Sequence, residues 1–285
     1  DHPRMPWQGT ELWVADVTPD GSVVDGRLIA GGMEESICQP EWSPDGLLYF
    51  VSDRSGWWNL YRFEHGVVHP LCPRDAEFGG PQWSFGASMY GFRSSEEIIC
   101  TYIEDGISRL GRLSTRGCAL TPIDTPYQEI RELRVSPERV LVLAGSPTIA
   151  LELALIDPDT GSRSVLVQSI ADLPGEGYLS VPRSIRYPSM QGRSAYAFHY
   201  APANADFELP AGELPPLIVI GHGGPTSMAT STLKLATQFW TSRGFAVLDV
   251  NYGGSSGFGR LYRDLLKGQW GVIDVEDCVA GARHL

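Results

Sequence analysis

The sequence predicts a multi-domain chain of β plus α/β class, with a partial β-propeller over residues 1–173 and an α/β unit over residues 174–285. Short apolar-alternating stretches fill the first part, separated by turn text. Two of those stretches repeat. Near Pro174 the pattern changes to continuous apolar runs alternating with helical stretches.

The turn text of the first part includes Pro19-Asp20-Gly21, Pro44-Asp45-Gly46 and Asp157-Pro158-Asp159-Thr160-Gly161. The repeat pairs Gln39-Pro40-Glu41-Trp42-Ser43-Pro44 with Gly80-Pro81-Gln82-Trp83-Ser84-Phe85, tryptophans 41 residues apart, and Leu133-Arg134-Val135-Ser136-Pro137 is a weaker echo. A period near 40 with four short strands per unit is the signature of propeller blades. Leu47 to Ser52, the turn Asp53 to Gly56, and Trp57 to Arg62 fit one blade's middle hairpin. At that period the first part holds about four blades. The first unit starts abruptly at Asp1, not at a methionine, so the propeller is expected to be N-terminally incomplete.

In the second part, residues 183–200 read as an edge hairpin turning at Gln191-Gly192, followed by an Ala- and Pro-rich linker from Ala201 to Pro216. Leu217 to Ile220 is a short apolar run, as expected for a strand buried on both faces of a parallel sheet. A helix is expected from Ser231 to Arg243, ended by Gly244 as a left-handed cap. Phe245 to Val250 reads as a second buried strand. Val275, Cys278, Val279, Ala282 and Leu285 share the apolar face of a last helix.

Composition excludes some functions. There are 34 acidic and 22 basic residues, a net charge of −12, and this argues against nucleic acid or an anionic membrane as partner. No apolar run approaches the ~18 residues of a membrane span. The five cysteines, Cys38, Cys72, Cys100, Cys118 and Cys278, are scattered and never form Cys-x-x-Cys. That predicts a reduced, cytoplasmic setting and no thiolate metal site.

The strongest chemical signal is Gly221-His222-Gly223-Gly224-Pro225, directly after the apolar run. A Gly-rich turn follows the third strand of α/β-hydrolases, where its N–H groups face the oxyanion of a tetrahedral intermediate. Glycine is needed there because a Cβ would block close approach to the main chain. Read alone, the string is equally an ordinary tight turn. Two later strings follow it in order, Asn251-Tyr252-Gly253-Gly254-Ser255-Ser256-Gly257-Phe258-Gly259-Arg260 and Gly268-Gln269-Trp270-Gly271-Val272-Ile273-Asp274-Val275-Glu276-Asp277. Together the three resemble the prolyl oligopeptidase family of serine peptidases, in its acylaminoacyl-peptidase and dipeptidyl-peptidase-like branch. The resemblance covers essentially the whole chain, propeller first and hydrolase domain second. Gly253 departs from it, since the family often carries Arg there.

The resemblance implies that residues 174–285 are the N-terminal part of an α/β-hydrolase domain. It implies oxyanion donors at Gly223 and Gly224, a short-peptide substrate, an acyl-enzyme and no metal or organic cofactor. The family's nucleophile sits on a Gly-x-Ser-x-Gly turn after the helix that ends near Leu285, with the acid and histidine later still. The chain is therefore expected to be a fragment without the triad, inactive by itself. An esterase of the same architecture, or a non-enzymatic scaffold with a degenerate hydrolase domain, are the alternatives.

Gly253-Gly254-Ser255-Ser256-Gly257 formally satisfies Gly-x-Ser-x-Gly, with Asp264, Asp274 and His284 following in hydrolase order. It is set aside because more glycines follow before any helix, and too few residues remain for the strands that carry acid and base. His284 then reads as a surface histidine. His65 and His69 sit in a hairpin, not on a metal-binding helix. Trp57 and Trp58 read as blade packing on opposite strand faces. Asp274, Glu276 and Asp277 complement a helix dipole. Glu34 and Glu35 could bind a peptide amino terminus, but nothing in the sequence places them near a cleft. Oligomeric state is not readable.

Overall fold

A computed structural model describes residues 4–224 and 226–285. Asp1 and Pro225, both used in the sequence reading, lie outside them. The chain begins with an antiparallel pair, β1 (Glu11–Val17) and β2 (Val23–Gly31). Three four-stranded antiparallel sheets follow, each keeping its strands in chain order. The first holds β3 (Ile37–Trp42), β4 (Leu48–Ser52), β5 (Asn59–Glu64) and β6 (Val67–Pro70). The second holds β7 (Tyr90–Phe92), β8 (Glu97–Glu104), β9 (Ile107–Ser114) and β10 (Leu120–Ile123). The third holds β11 (Glu129–Val135), β12 (Val140–Ser146), β13 (Ile149–Ile156) and β14 (Arg163–Gln168).

Local chemistry explains the tight hairpins. Glu104 pairs with Ile107 across Asp105-Gly106, with φ of 51° and 75°. Glu64 pairs with Val67 across His65-Gly66, with φ of 50° and 79°. Two successive positive φ values match the right-handed twist of the flanking strands, which is why Gly takes the second place. His65 is thus a turn residue. Apolar cores join neighbouring sheets. Tyr49, Val51, Trp58, Phe78, Tyr90 and Ile98 form one buried cluster, and Ile99, Leu110, Ile130, Leu133 and Val142 belong to the next. Each such side chain contributes about 1.5–3 kcal/mol when fully buried.

The two copies of the tryptophan repeat do different jobs. Trp42 ends β3, whereas Trp83 lies in the connection before β7. Trp83 stacks on Trp7, centroids 4.4 Å apart, and its Nε1–H donates to the Thr226 carbonyl at 2.7 Å. A contact made across the molecule, and not a place in a strand, explains the second tryptophan.

The last sheet runs β15-β16-β18-β17, from β15 (Arg183–Pro188), β16 (Ser194–Tyr200), β17 (Leu217–Gly221) and β18 (Ala246–Asn251). Only β17 and β18 pair in parallel. Three helices accompany it, α1 (Leu235–Thr241), α2 (Arg260–Asp264) and α3 (Ile273–His284). Three expectations need correction. β17 is at the sheet edge and only half-buried, while β18 is buried throughout. The first helix starts at Leu235 instead of Ser231, because Ser231 and Thr232 hydrogen-bond Gln128 and Glu129, and Leu233 N–H donates to the Ser146 carbonyl at 2.9 Å. On α3 the buried residues are Ile273, Asp277 and Gly281, while Val275 and Val279 are exposed. Gly281 sits where a Cβ would lie 2.7 Å from Leu248, so the close approach of α3 to the sheet selects the glycine face.

The β sheets and the α/β unit meet through a buried ionic cluster. Asp53 Oδ2 accepts from Arg263 Nη2 at 2.5 Å and from Arg260 Nη1 at 2.7 Å. Glu77 accepts from Trp58 N–H at 2.7 Å and from Gly259 N–H at 3.1 Å. The Arg263 guanidinium lies 3.9 Å from the Trp58 ring centroid. Asp53, Glu77 and Arg263 expose at most 1% of their side chains. Burial outweighs the arginines and pushes Glu77 up to about 7, and it also raises Asp53.

Asp53→Ala should destabilise the protein by about 3–5 kcal/mol in denaturant titrations, because it leaves Arg263 buried without its main partner. A carboxyl raised from 4.5 to about 7 contributes stability that is present below 4.5 and lost as pH rises through about 7. Glu77→Gln should remove that part of the pH dependence, read as the difference between wild-type and variant melts from pH 4 to 8.

Candidate functional site

β17 and β18 are parallel neighbours, so the loops after their carboxyl ends emerge side by side, the usual place for a site on such sheets. The β17 loop carries His222, Gly223 and Gly224. The β18 loop carries Tyr252 to Gly259. Asn251 joins them, its Oδ1 accepting from Ala229 N–H at 2.7 Å, and Ser256 N–H donates to the Ser227 carbonyl at 2.8 Å.

His222 is clamped on three sides. Its ring stacks on Tyr252, centroids 4.4 Å apart and planes 21° apart. The Tyr252 hydroxyl donates to the His222 carbonyl at 2.7 Å. Nε2 lies 2.7 Å from Ser255 Oγ. Nδ1 lies 3.0 Å from the Gly223 carbonyl and 3.3 Å from the Tyr252 hydroxyl, while Ser255 Oγ, which meets Nε2, donates its one proton to the Tyr252 carbonyl at 2.8 Å. Burial holds the His222 pKa below its ordinary 6.5, so the ring stays neutral near pH 7. Burial also pushes the Tyr252 phenol up to about 12.

The two glycines beyond this clamp are exposed. Gly224 has φ 137°, where an added Cβ would lie 3.0 Å from Thr226 N, while Gly223 faces open space. Neither amide donates a hydrogen bond among the described residues. A cavity of about 100 Å³ beside Gly224 is lined by Trp7, Gln8, Arg263 and Trp270. A cavity of about 830 Å³ lies elsewhere, between Pro202 to Leu209 and the end of α1.

The structure brings Ser255 to His222, a pairing the sequence reading missed. Among the described residues it is the sole serine–histidine hydrogen bond. Ser255 is fully buried, its Oγ also within 2.8 Å of the Tyr252 carbonyl, and no carboxylate meets His222 Nδ1. Residues 256–259 are not helical, and α2 starts only at Arg260. The residues that sequence order offered as partners lie apart. Asp264 pairs with Arg260 at 3.2 Å, and His284 is an exposed residue on Tyr187, centroids 5.8 Å apart.

Asp277 does more than complement a helix dipole. It accepts from Gly253 N–H at 2.7 Å and from Ser189. Glu276 pairs with Arg193 at 2.7 Å. A Cβ on Gly253 would lie 2.8 Å from Ile273, which accounts for glycine where the family often has Arg. Glu35 pairs with Arg54 at 2.8 Å, whereas Glu34 is exposed, 3.9 Å from Arg260. His65 and His69 are exposed. No group of three His, Cys, Asp or Glu suited to a metal occurs among the described residues. No helix among them is long and apolar enough to cross a membrane. The signal for the clamp was available, because Tyr252 and His222 each stand one residue past a strand end.

Residues 231–285 match the model of the prolyl oligopeptidase family. The structure of a puromycin-hydrolyzing peptidase of Mycobacterium tuberculosis superposes with a TM-score of 0.96 and 39% identity, over all of this chain and 44% of that one. A dipeptidyl-peptidase 4 of Giardia intestinalis is 32% identical over 93% of this chain and 31% of its own length. Acylamino-acid-releasing enzyme 2 of Oryza sativa subsp. japonica is 42% identical over 25% of this chain and 9% of its own. The chain is thus similar to proteins of the prolyl oligopeptidase family, whose members are serine peptidases, and the match to the family model itself lies in residues 231–285. It spans less than half the length of these relatives.

Ser255→Ala should cost about 1–3 kcal/mol in denaturant titrations, by leaving His222 Nε2 and the Tyr252 carbonyl without the hydroxyl they share. A histidine whose folded pKa is lowered contributes stability above 6.5 that is lost as pH falls below it. NMR titration of His222 should give a value under 6.5.

Proposed function

We propose that residues 1–285 supply the oxyanion side and an incomplete propeller wall of a cytoplasmic serine peptidase that cleaves short peptides. On this reading residues 1–173 are an arc of propeller blades, and residues 174–285 open an α/β-hydrolase domain. The observation that carries it is the Gly223-Gly224 pair, exposed at the carboxyl end of β17, with amides that donate no hydrogen bond among the described residues, and next to the His222 clamp. Such donors stabilise a tetrahedral oxyanion without reorganising during the reaction. The nucleophile attacks the scissile carbonyl, a histidine base takes its proton, and the acyl-enzyme is then hydrolysed. That chemistry needs no metal or organic cofactor.

Residues 1–285 do not contribute the nucleophile, base and acid. Ser255 is buried, and among the described residues no carboxylate hydrogen-bonds its histidine. The identity to a puromycin-hydrolyzing peptidase over the whole chain supports aminoacyl amides as substrates beside short peptides. An esterase or a scaffold without activity has no observation in its favour beyond the shared architecture.

The test is turnover of peptide anilides, esters and puromycin by the complete gene product, with fluorophosphonate labelling of its serine. Hydrolysis of the amide bond is expected, with labelling unchanged in Ser255→Ala. Gly224→Val should lower kcat by about 10²-fold, the scale of losing one oxyanion donor. Labelling lost in Ser255→Ala would move the nucleophile to Ser255, and no labelling at all would end the serine-peptidase reading.

A further inference from the structure

The cavity beside Gly224 gathers positive charge in a chain whose net charge is −12. Three segments wall it. Trp7 comes from the N-terminal segment, Gly224 from the β17 loop, and Arg263, Asp264, Lys267 and Trp270 from α2 and the turn after it. Each segment is tied to another. Trp7 stacks on Trp83, whose indole N–H donates to the Thr226 carbonyl, two residues past Gly224. The Gln8 carbonyl accepts from Arg260 Nη2 at 2.8 Å, which joins the first segment to α2. Lys267 N–H donates to the Asp264 carbonyl at 3.1 Å and closes the turn that carries the lysine.

The charges in that wall are unequally used. Of the chain's lysines, Lys234 pairs with Asp249 at 2.9 Å, whereas Lys267 is exposed and forms no ion pair among the described residues. Arg263 is buried with Nη2 on Asp53, but its Nε and Nη1 have no hydrogen-bond partner among those residues. Asp264, the carboxylate in the wall, is held by Arg260 at 3.2 Å. The Gly224 amide donates no hydrogen bond among the described residues either. A volume of about 100 Å³ is that of about three waters. It suits a carboxylate with its α-carbon and a small side chain, between the apolar faces of Trp7 and Trp270.

We propose that this cavity binds the terminal carboxylate of a short peptide substrate, with Lys267 as the residue that selects for it. That the ligand is a substrate rests on the serine-peptidase reading above. The Lys267 ammonium pairs with the carboxylate, and the buried Arg263 guanidinium supplies a fixed positive charge behind it. Gly224 belongs both to the cavity wall and to the glycine pair. A carboxylate seated here therefore brings the peptide bond nearest to it up to the oxyanion donors, and the fragment that leaves as the amine is short.

The complete gene product should be compared on trialanine and its C-terminal amide. The acid should show a kcat/KM about 5–10-fold above that of the amide, the scale of one charge-assisted contact. High salt should shrink that ratio, since Lys267 is exposed. Lys267→Gln should bring the ratio close to unity, and Lys267→Arg should keep it. Binding is read separately from turnover, by saturation-transfer NMR with acetyl-alanyl-alanine and its C-terminal amide. The acid should bind wild type about 5–10-fold more tightly than the amide, and Lys267→Gln should bind the two alike. Equal binding of the two by wild type, no binding of the acid, or an acid preference that survives in Lys267→Gln would each overturn the proposal. Acid-selective binding without hydrolysis of either peptide would uphold the carboxylate site and end the serine-peptidase reading alone.

Discussion

The contact between Asp53 and the two arginines of α2 is the constraint on which the rest of the arrangement hangs. Charges this deeply buried are tolerable only when every partner is held in place, since desolvation costs several kcal/mol per ion. Arg263 therefore has few options. It lies on Trp58, meets Asp53 and approaches Glu77 at 3.8 Å, and each of those residues is fixed by a sheet. Such a cluster adds little net stability compared with an apolar packing, but it defines one docking geometry sharply, because any slip strands a charge.

That geometry reaches the glycine loop through backbone. Gly259 N–H is held by Glu77 and Arg260 N–H by the Gly56 carbonyl at 2.7 Å, so the end of the β18 loop is pinned to the first sheet. The start of the same loop is pinned by Asp277 to α3. Tyr252 and Ser255, between those anchors, hold His222, and His222 holds Gly223 and Gly224. Trp83 adds a second link from the β sheets, through Thr226. The exposed glycines thus sit on a loop whose neighbours are tied to both halves of the chain. This is how a flexible residue type can present fixed donors.

The sequence made some of this legible and hid the rest for identifiable reasons. Periodicity and turn text suffice where structure is local. The hairpins at His65-Gly66 and Asp105-Gly106, the strand at 246–251 and a helix after Ile273 follow from neighbours in sequence. Local rules fail where a distant contact wins. Ser231 and Thr232 leave the helix to bond Gln128 and Glu129, and the buried face of α3 is chosen by Gly281 and Asp277, not by its valines. In the site, the glycines were readable because their role is a backbone property. The strand ends signalled Tyr252 beside His222, but Ser255 was missed because its partner is 33 residues earlier, while the motif pointed to residues that follow it.

Ser255 shows why a motif needs its surroundings before it means chemistry. A catalytic serine needs access to substrate, a base free to accept and release a proton, and an acid that orients that base. Ser255 has the hydrogen bond to a neutral histidine and none of the rest. Its hydroxyl is enclosed and donates to the Tyr252 carbonyl, and the far side of the ring meets a backbone carbonyl in place of a carboxylate. The same burial that lowers the His222 pKa makes the ring a poor proton acceptor during a reaction. Those properties suit a structural strut, since a neutral, fully bonded ring keeps one orientation across the neutral pH range. The pair that looks most like catalytic machinery is better built to keep Gly223 and Gly224 still.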